Sequence, residues 1–376
     1  MNGKNPFSVV GYHGPDLFCD RKKEAVVLMR NLLGGQNTTL ISLRRMGKTA
    51  LIHHVFERIT MERQGYCLYV DLYPTGSLSE MTRQLATAAM NLLPPKKRIG
   101  KKFISFLKGL RPVIKYDPLT GAPEVRFEYA TATDYEITLS ALLNFLNEQD
   151  MDVFLAFDEF QVIASYADGN TEALLRTMIQ QLNNMHFIFS GSNRHMMNEI
   201  FQDTKRPFFA STRIVSLPAI SAEEYGSFIV DRFTEKKRII TPEAVDFILG
   251  WTRRHTYYTQ SVCNTLFSSD RKSIDIQWVK AICGEILDEQ EKTFLQYRHL
   301  LTANQWQFLM AVAKEGRVYR PHSSEFLEKY SLGTPAGVAR ALDSLLTKEM
   351  IYEDSDSSGR YYSVYDLFLS RWLERQ

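Results

Sequence analysis

The segment Ser42-Leu43-Arg44-Arg45-Met46-Gly47-Lys48-Thr49 constrains this chain more than any other stretch of it. It follows a short apolar run starting at Thr38 and opens an amphipathic stretch, Ala50 to Ile59, so the spacing predicts a strand, a tight loop and a helix. Such a loop aims successive backbone N–H groups at an anion placed on a helix N-terminus. Here those groups belong to Arg45, Met46, Gly47, Lys48, Thr49 and Ala50. Lys48 can set a point charge on the β/γ phosphates of a nucleoside triphosphate, and Thr49 can offer its hydroxyl to Mg²⁺. ATP with Mg²⁺ is the expected ligand. The pattern G-x-x-x-x-G-K-[ST] has glycine first, where this chain has Ser42. Serine must make that turn with a negative φ, which predicts a slightly wider loop. A Gly-Lys-Thr or Gly-Lys-Ser tripeptide alone arises by chance in roughly one chain in five of this length, so its weight comes from its surroundings.

The decisive surrounding is Val153-Phe154-Leu155-Ala156-Phe157-Asp158-Glu159, an apolar strand ending in two adjacent carboxylates. Taken alone it reads as a strand running into a solvated turn. Below a phosphate loop it reads as the acidic partner element: Asp158 for Mg²⁺, together with Thr49, and Glu159 for the attacking water. That pairing predicts hydrolysis, with Lys48, Asp158 and Glu159 as the catalytic set.

The chain has 376 residues, enough for two or three domains. A net charge of +2 exerts no global pull on nucleic acid, so any basic surface has to be local. Cys19, Cys67, Cys263 and Cys283 form no C-x-x-C pair and no metal-ligand spacing, which points to a reduced, zinc-free protein with Cys67 in the core. Met1 to Val10 lack the apolar core of a signal peptide, and no stretch approaches membrane-spanning length. A cytoplasmic protein without integral membrane association is expected.

From Phe18 to about Pro218, short apolar strands alternate with amphipathic helices, the mark of a parallel sheet covered on both faces. The strands are expected at Thr38–Leu43, Tyr66–Asp71, Val153–Phe157, His186–Ser190 and Arg213–Leu217. Their C-terminal ends bring Asp71, Asp158 and the Ser190-Gly191-Ser192-Asn193 turn to the ligand side. The crossover helices are expected from Ser77 to Leu93, opened by a capping box with Glu80, and at Tyr135–Gln149 and Ala173–Asn184. Between residues 94 and 133 sits an insertion. Its first half carries Lys96, Lys97, Arg98, Lys101, Lys102, Lys108, Arg111 and Lys115, and its second half reads as a hairpin, Val113–Tyr116 with Val125–Tyr129 around Asp117–Gly121. The Lys96–Lys115 run is either a solvated face or a contact for DNA, RNA or an acidic protein. Phe103 and Phe106 within it are spaced for helix packing.

After Pro218 the strands are expected to stop. Helices at Ala222–Phe233, Pro242–Thr252, Tyr257–Phe267 and Ile276–Tyr297 would form a small lid, with Thr241-Pro242-Glu243 a clear helix start. Residues 302–376 read as a winged helix. Its helices are Trp306–Lys314, Ser323–Tyr330 and Pro335–Lys348, and its wing strands Met350–Glu353 and Tyr361–Val364 flank the turn Asp354–Arg360. The expected division is an ATPase core over 1–218, a lid over 219–300 and a winged helix over 301–376. Arg340 and Lys348 favour DNA contact by that last domain, whereas Glu353, Asp354 and Asp356 oppose it. Docking on protein, or on its own ATPase core, is the use expected ahead of DNA readout.

These residues resemble the archaeal-type ATPase family of the STAND branch of AAA+-like P-loop NTPases. The likeness rests on Asn5-Pro6-Phe7, Phe18-Cys19-Asp20-Arg21-Lys22-Lys23-Glu24, Arg44–Thr49, Phe157-Asp158-Glu159-Phe160-Gln161, Ser190-Gly191-Ser192 and the terminal winged helix. The resemblance implies an α/β fold with an additional-strand parallel sheet, the Ser190 strand lying between the two motif-bearing strands, then a helical lid and the winged helix. It places Arg21 and Glu24 near the base and ribose, although Asp20 replaces the family's glycine. Ser192 or Asn193 becomes a γ-phosphate sensor. His255, in Arg254-His255-Thr256-Tyr257-Tyr258, stands where such proteins carry a glycine-histidine-proline that touches phosphate, here without the glycine or proline. Arg206 and Arg213 are candidates for charge compensation in cis or from a neighbouring protomer, and oligomers are compatible with the pattern.

The function expected is a slow ATPase switch in which nucleotide state sets lid and winged-helix position, with a protein partner on one of them. The alternative is a DNA-associated ATPase resembling the origin-recognition initiators. A third reading, a scaffold holding nucleotide as a structural ligand, is opposed by the Asp158-Glu159 pair.

Overall fold

The computed structural model describes residues 5–19, 21–92, 98–109, 112–116, 123–127, 132–167 and 169–376. The chain divides into two compact units, Val10–Ile220 and a second that joins Ser221–Gln376 to the leading segment ending at Val9.

The first unit opens with α1 (Lys22–Leu33) and β1 (Thr38–Ile41), then α2 (Lys48–Met61) and β2 (Tyr66–Asp71). After α3 (Leu78–Leu92) comes the insertion, made of α4 (Arg98–Gly109) and the hairpin β3 (Pro112–Tyr116) with β4 (Pro123–Phe127). The chain resumes through α5 (Ala132–Asn147), β5 (Val153–Asp158), α6 (Thr171–Ile179), β6 (Met185–Gly191), α7 (Arg194–Gln202) and β7 (Arg213–Ser216). The central sheet is five-stranded and parallel, in the order β2-β5-β6-β1-β7. The Ser190 strand therefore lies between the strands that carry the two motifs.

Strand alternation sorts the core into two layers. Phe154 and Ala156 of β5, Leu40 of β1 and Ile188 of β6 face one layer, packed with Leu28 and Leu32 of α1 and Leu51, Ile52 and Val55 of α2. Val153, Leu155 and Phe157 face the other, with Phe187 and Phe189 of β6 and residues of α3, α5, α6 and α7. The insertion is anchored to this second layer by Phe103, Leu107 and Val125. Its Lys101, Lys102, Lys108 and Lys115 side chains are exposed.

Several boundaries differ from expectation. β1 stops at Ile41 because Ser42 already turns into the loop, and α6 ends at Ile179. Asn184 cannot extend α6: its N–H is taken by the Asn147 side chain, and its own amide donates to Gln149 O and Met151 O. The capping box at Ser77 forms with a shift, Glu80 reaching the Gly76 N–H while Ser77 Oγ accepts from Glu80 N. The hairpin turn Asp117–Gly121, Leu93 and Tyr129 fall outside the described residues.

The second unit begins with α8 (Ala222–Thr234), β8 (Ile239–Ile240), α9 (Pro242–Trp251), α10 (Thr256–Ser268), β9 (Ser273–Ile274) and the long α11 (Ile276–Leu300). Strands do not stop at Pro218. β8 and β9 form a two-rung parallel ladder just before the helix caps Thr241 and Asp275, where the chain is extended in order to cap. The winged helix follows as α12 (Ala303–Glu315), α13 (Ser324–Tyr330), α14 (Pro335–Thr347) and the wing β10 (Ile351–Asp356) with β11 (Gly359–Val364). A further helix, α15 (Leu367–Leu373), closes the chain on an Asp366 cap. The Asn5-Pro6-Phe7 segment docks here: Phe7 is 0% exposed among Phe228, Phe233 and Phe267, and Asn264 bonds the Phe7 carbonyl. Among the described residues no helix is long and apolar enough to cross a membrane.

Candidate functional site

The phosphate loop turns between β1 and α2 on two left-handed residues, Arg45 (φ 60°) and Gly47 (φ 95°). Only glycine takes the second of these without strain. Ser42, at the position where the motif has glycine, makes its turn without a positive φ. Gly47 is the N-cap of α2 and supplies no side-chain acceptor, which leaves the first-turn N–H groups to an outside anion. Lys48 is buried and folds back on its own loop, with Nζ 3.4 Å from Ser42 O and 3.3 Å from Leu43 O. Burial pulls the Lys48 pKa down, Glu159 and Asp158 oppose this, and Arg44 reinforces it. These long contacts to neutral carbonyls leave the ammonium poorly compensated, a fit for phosphate oxygens.

The second motif meets the first at the same edge of the sheet. Thr49 Oγ1 donates to Asp158 Oδ2 at 2.7 Å, and Tyr69 of β2 donates to the same oxygen at 2.6 Å. Register explains the second bond. Tyr69 lies opposite Ala156, whose small side chain lets the phenol run along that face to the carboxylate two residues on. The Tyr69 ring also lies against His53 of α2, centroids 4.6 Å apart. Burial alone would raise Asp158, but hydrogen bonds from Tyr69 and Thr49 and the Lys48 charge more than offset it and hold the carboxyl below its ordinary value. Asp71 sits level with Asp158 in the ladder. Burial raises its pKa, as do the carboxylates of Asp158 and Glu159, against the Tyr73 N–H.

Glu159 leaves the strand in the left-handed region, φ 53°, and caps a short 3-10 turn over Phe160–Ser165. That turn swings its carboxylate out of the strand's alternation and toward β6. Oε2 accepts from Ser192 Oγ at 2.6 Å and from the Gln161 amide. Gly191 leaves them room, since a Cβ there would meet Met197 Sδ and the Gln161 side-chain oxygen at 2.4 and 2.5 Å and force both side chains to shift.

The structure thus brings Lys48, Thr49, Asp158, Glu159 and Ser192 together, with Arg45, Met46, Gly47 and Ala50 in the same loop, and gives the other candidates different partners. Asn193 caps α7, its side chain accepting from Met196 N at 3.1 Å. Arg21 is buried and bonded entirely to protein. Asp20 lies outside the described residues. Arg206 pairs with Glu172 at 3.3 Å, and Arg213 is exposed at the start of the edge strand β7. His255 belongs to the second unit, where it opens α10 with its ring 4.7 Å from that of Tyr258. Tyr69 and Gln161 are the site residues that sequence reasoning did not assign. Locating Tyr69 requires the β2–β5 register.

Among the described residues, no group of three or more His, Cys, Asp or Glu side chains could hold a metal. The oxygen donors present, one hydroxyl and one carboxylate 2.7 Å apart, suit a Mg²⁺ that completes its shell with phosphate oxygens and water.

Residues 292–375 match a family model described as "Probable winged helix domain". No curated protein matches the chain in sequence. Among solved structures, the chain is similar to a Walker-type ATPase of Pyrococcus abyssi, at 16% identity over 98% of this chain and 99% of that one, with a TM-score of 0.65. It is also similar to the ORC2 protein of Aeropyrum pernix in ADPNP–ADP complexes, at 15% identity over 100% and 96% of the two chains, TM-score 0.57. The ORC1 protein of the same organism, solved in complex with DNA, follows at 15% identity over 96% and 94%, TM-score 0.52. The chain shares the fold of these structures: an α/β core on a parallel sheet, with a winged helix at the C-terminal end.

Proposed function

We propose that this protein is a Mg²⁺-dependent ATPase that works as a regulatory switch of the STAND/AAA+ type, nucleotide state governing the lid and the winged helix. The observation that carries the reading is the 2.7 Å bond between Thr49 of the phosphate loop and Asp158 of the second motif, with Glu159 next in the chain. The loop N–H groups from Arg45 to Ala50 and the Lys48 ammonium would hold the triphosphate, Lys48 exchanging two neutral carbonyls for charged oxygens. Thr49 and Asp158 would hold Mg²⁺, which when bound neutralises charge on the β/γ oxygens. Glu159 would orient the attacking water and take its proton at Oε1, since Ser192 and Gln161 both occupy Oε2. Ser192, tied to that carboxylate, would register the γ-phosphate, and the resemblance gives His255 a second sensing role. The working division is a core up to about 218, a lid over 219–300 and a winged helix over 301–376, with the leading segment that ends at Val9 belonging to the second unit. Cys19, Cys67, Cys263 and Cys283 form no disulfide with one another, and a reducing compartment such as the cytoplasm is part of this reading.

Nucleotide binding and phosphate release by Lys48→Ala and Glu159→Gln test the reading. Lys48→Ala should lose ATP binding. Glu159→Gln should retain binding and release phosphate on the order of 10² to 10⁴ times more slowly. Unchanged binding and turnover in both would refute it.

A DNA-associated ATPase is the second reading, favoured by the exposed Lys101, Lys102, Lys108 and Lys115 of the insertion. Lys96, Lys97 and Arg111 of the same run lie outside the described residues. The winged helix adds little to it. Arg317 and Arg360 pair with Asp356 and Glu353, so the wing's acids are largely neutralised, yet α14 exposes only Arg340 among basic residues, beside Asp343. Docking of that domain on protein fits this surface better. Filter retention of duplex DNA, with and without ATP at two salt concentrations, separates the readings, because only phosphate contact gives ATP-dependent, salt-sensitive retention.

A further inference from the structure

At Arg21 family resemblance and geometry point in different directions. The resemblance puts this side chain at the base and ribose of the nucleotide, whereas here it is 3% exposed and its guanidinium is spent inside the core. Nη1 meets Glu24 Oε1 at 3.0 Å and donates to the Pro218 carbonyl at 2.5 Å, and Nη2 donates to the Met46 carbonyl at 3.2 Å. Three of its five N–H donors are thus committed to one carboxylate and two carbonyls of the protein. Its backbone is held at φ 67°, a left-handed conformation that costs a non-glycine residue energy and persists only where the surroundings over-determine it.

Each acceptor has a meaning. Met46 directly precedes Gly47, the N-cap of the phosphate-loop helix. In a trans peptide the C=O and the next N–H point in opposite directions. Holding Met46 O toward Arg21 therefore aims the Gly47 N–H away from Arg21. The peptide plane that has to face phosphate is set by a side chain that does not. The other acceptor, Pro218, follows Leu217, whose N–H donates to Ile41 O at the last rung between β7 and β1. Two residues later, at Ile220, the chain leaves the first unit.

We propose that Arg21 is a strut and not a nucleotide ligand: it fixes the Met46–Gly47 peptide plane and ties it to the Pro218 carbonyl, so that filling of the phosphate loop is transmitted to the segment by which the chain leaves the core. Arg21 is thus a positioning residue, and its role rests on the ATPase reading above. The first carbonyl bond sets the cradle. The second makes the exit segment sense it.

The test uses the full chain, hydrogen exchange with and without a non-hydrolysable ATP analogue plus Mg²⁺, and direct binding of that analogue. In the wild type, amides at 43–50 and at 216–222 should both slow on binding. Arg21→Lys keeps the charge but lacks the planar fork that spans two carbonyls, so affinity should fall by about three- to tenfold while the response at 216–222 disappears and that at 43–50 persists. Wild-type protection confined to 43–50 would overturn the strut, and so would an Arg21→Lys chain that keeps the response at 216–222. A loss of affinity beyond roughly a hundredfold with that response intact would mark Arg21 as a direct ligand instead. A wild type that binds no nucleotide would refute the ATPase reading itself, an outcome distinct from binding without transmission. Should Arg21→Lys fail to fold, the wild-type response at 216–222 decides the matter alone.

Discussion

Replacing Tyr69 by Phe removes one oxygen from the centre of the site and leaves the ring packing against His53 in place. The lost bond is short, 2.6 Å, and ends on a carboxylate that is 4% exposed, so solvent screens it little. A hydrogen bond to a charged group contributes about 1.5–3 kcal/mol, and the lower end applies because Thr49 still donates to the same oxygen. At 1.36 kcal/mol per unit, a loss of that size moves the Asp158 pKa upward by about one unit or slightly more. The sign follows from linkage. Because the folded pKa of Asp158 is depressed, the stability it contributes is present above the unfolded value near 4 and is lost as pH falls through the folded value. Urea unfolding should therefore find Tyr69→Phe less stable by about 1.5–2 kcal/mol at pH 7, the gap narrowing to about 1 kcal/mol or less once the carboxyl is protonated in both proteins. Titration of Mg²⁺ against bound nucleotide should show weaker Mg²⁺ dependence in the variant, with nucleotide binding in EDTA unchanged. Equal stability at pH 7, or a gap independent of pH, would show that the phenol does not stabilise the ionised carboxylate.

Phe7→Ala should cost the second unit about 3–5 kcal/mol, the usual toll for emptying a fully buried phenylalanine site. If the two units melt separately, calorimetry should show only the transition of the second unit moving, and an unshifted transition would contradict the docking of Phe7 among Phe228, Phe233 and Phe267. Gly191→Ala forces a methyl to within 2.5 Å of Met197 and Gln161 and should destabilise by about 1–3 kcal/mol while slowing phosphate release, because Gln161 holds Glu159. A variant of wild-type stability and turnover would mean that the β6–α7 contact yields freely. Burial pushes the Cys67 and Cys283 thiols up to about 12, so in the native protein both should resist alkylation at pH 8 and label only on unfolding. Mass spectrometry after a brief iodoacetamide pulse checks this, and rapid native labelling of either would refute it.

The parts of this fold that could be read in advance are those in which one short segment carries both pattern and cap. The strand before Ser42, the helix after Gly47, the β5 run into Asp158 and the Thr241-Pro242 helix start all appear within two or three residues of their expected limits. What escaped depends on distant partners. The two-rung β8–β9 ladder joins segments far apart in sequence, neither long enough to show a period. Helix α7 hides behind its own cap: Asn193 is legible for its position in the turn, and its side chain also accepts from Met196 N to open the helix. Phe7 is similarly illegible, since its docking partner Asn264 stands 257 positions away.

At the site the same distinction separates residue identity from residue direction. Lys48, Thr49, Asp158 and Glu159 were identifiable because their types and spacing are dictated by phosphate and metal chemistry. Their present partners were not, because Glu159 and Arg21 both occupy left-handed backbone that costs a side-chain-bearing residue energy and that no sequence pattern announces. In each case that turn redirects a charged group: Glu159 away from its strand's face toward Ser192, and Arg21 into the core beneath Met46. With an ordinary extended φ, Glu159 would continue the alternation of β5 and lie on the face opposite Asp158. It is the left-handed turn at Glu159 that swings its carboxylate off that face toward Ser192, on the β6 side of Asp158, and so lets the acidic pair divide into one group facing the Thr49 hydroxyl and another open to water.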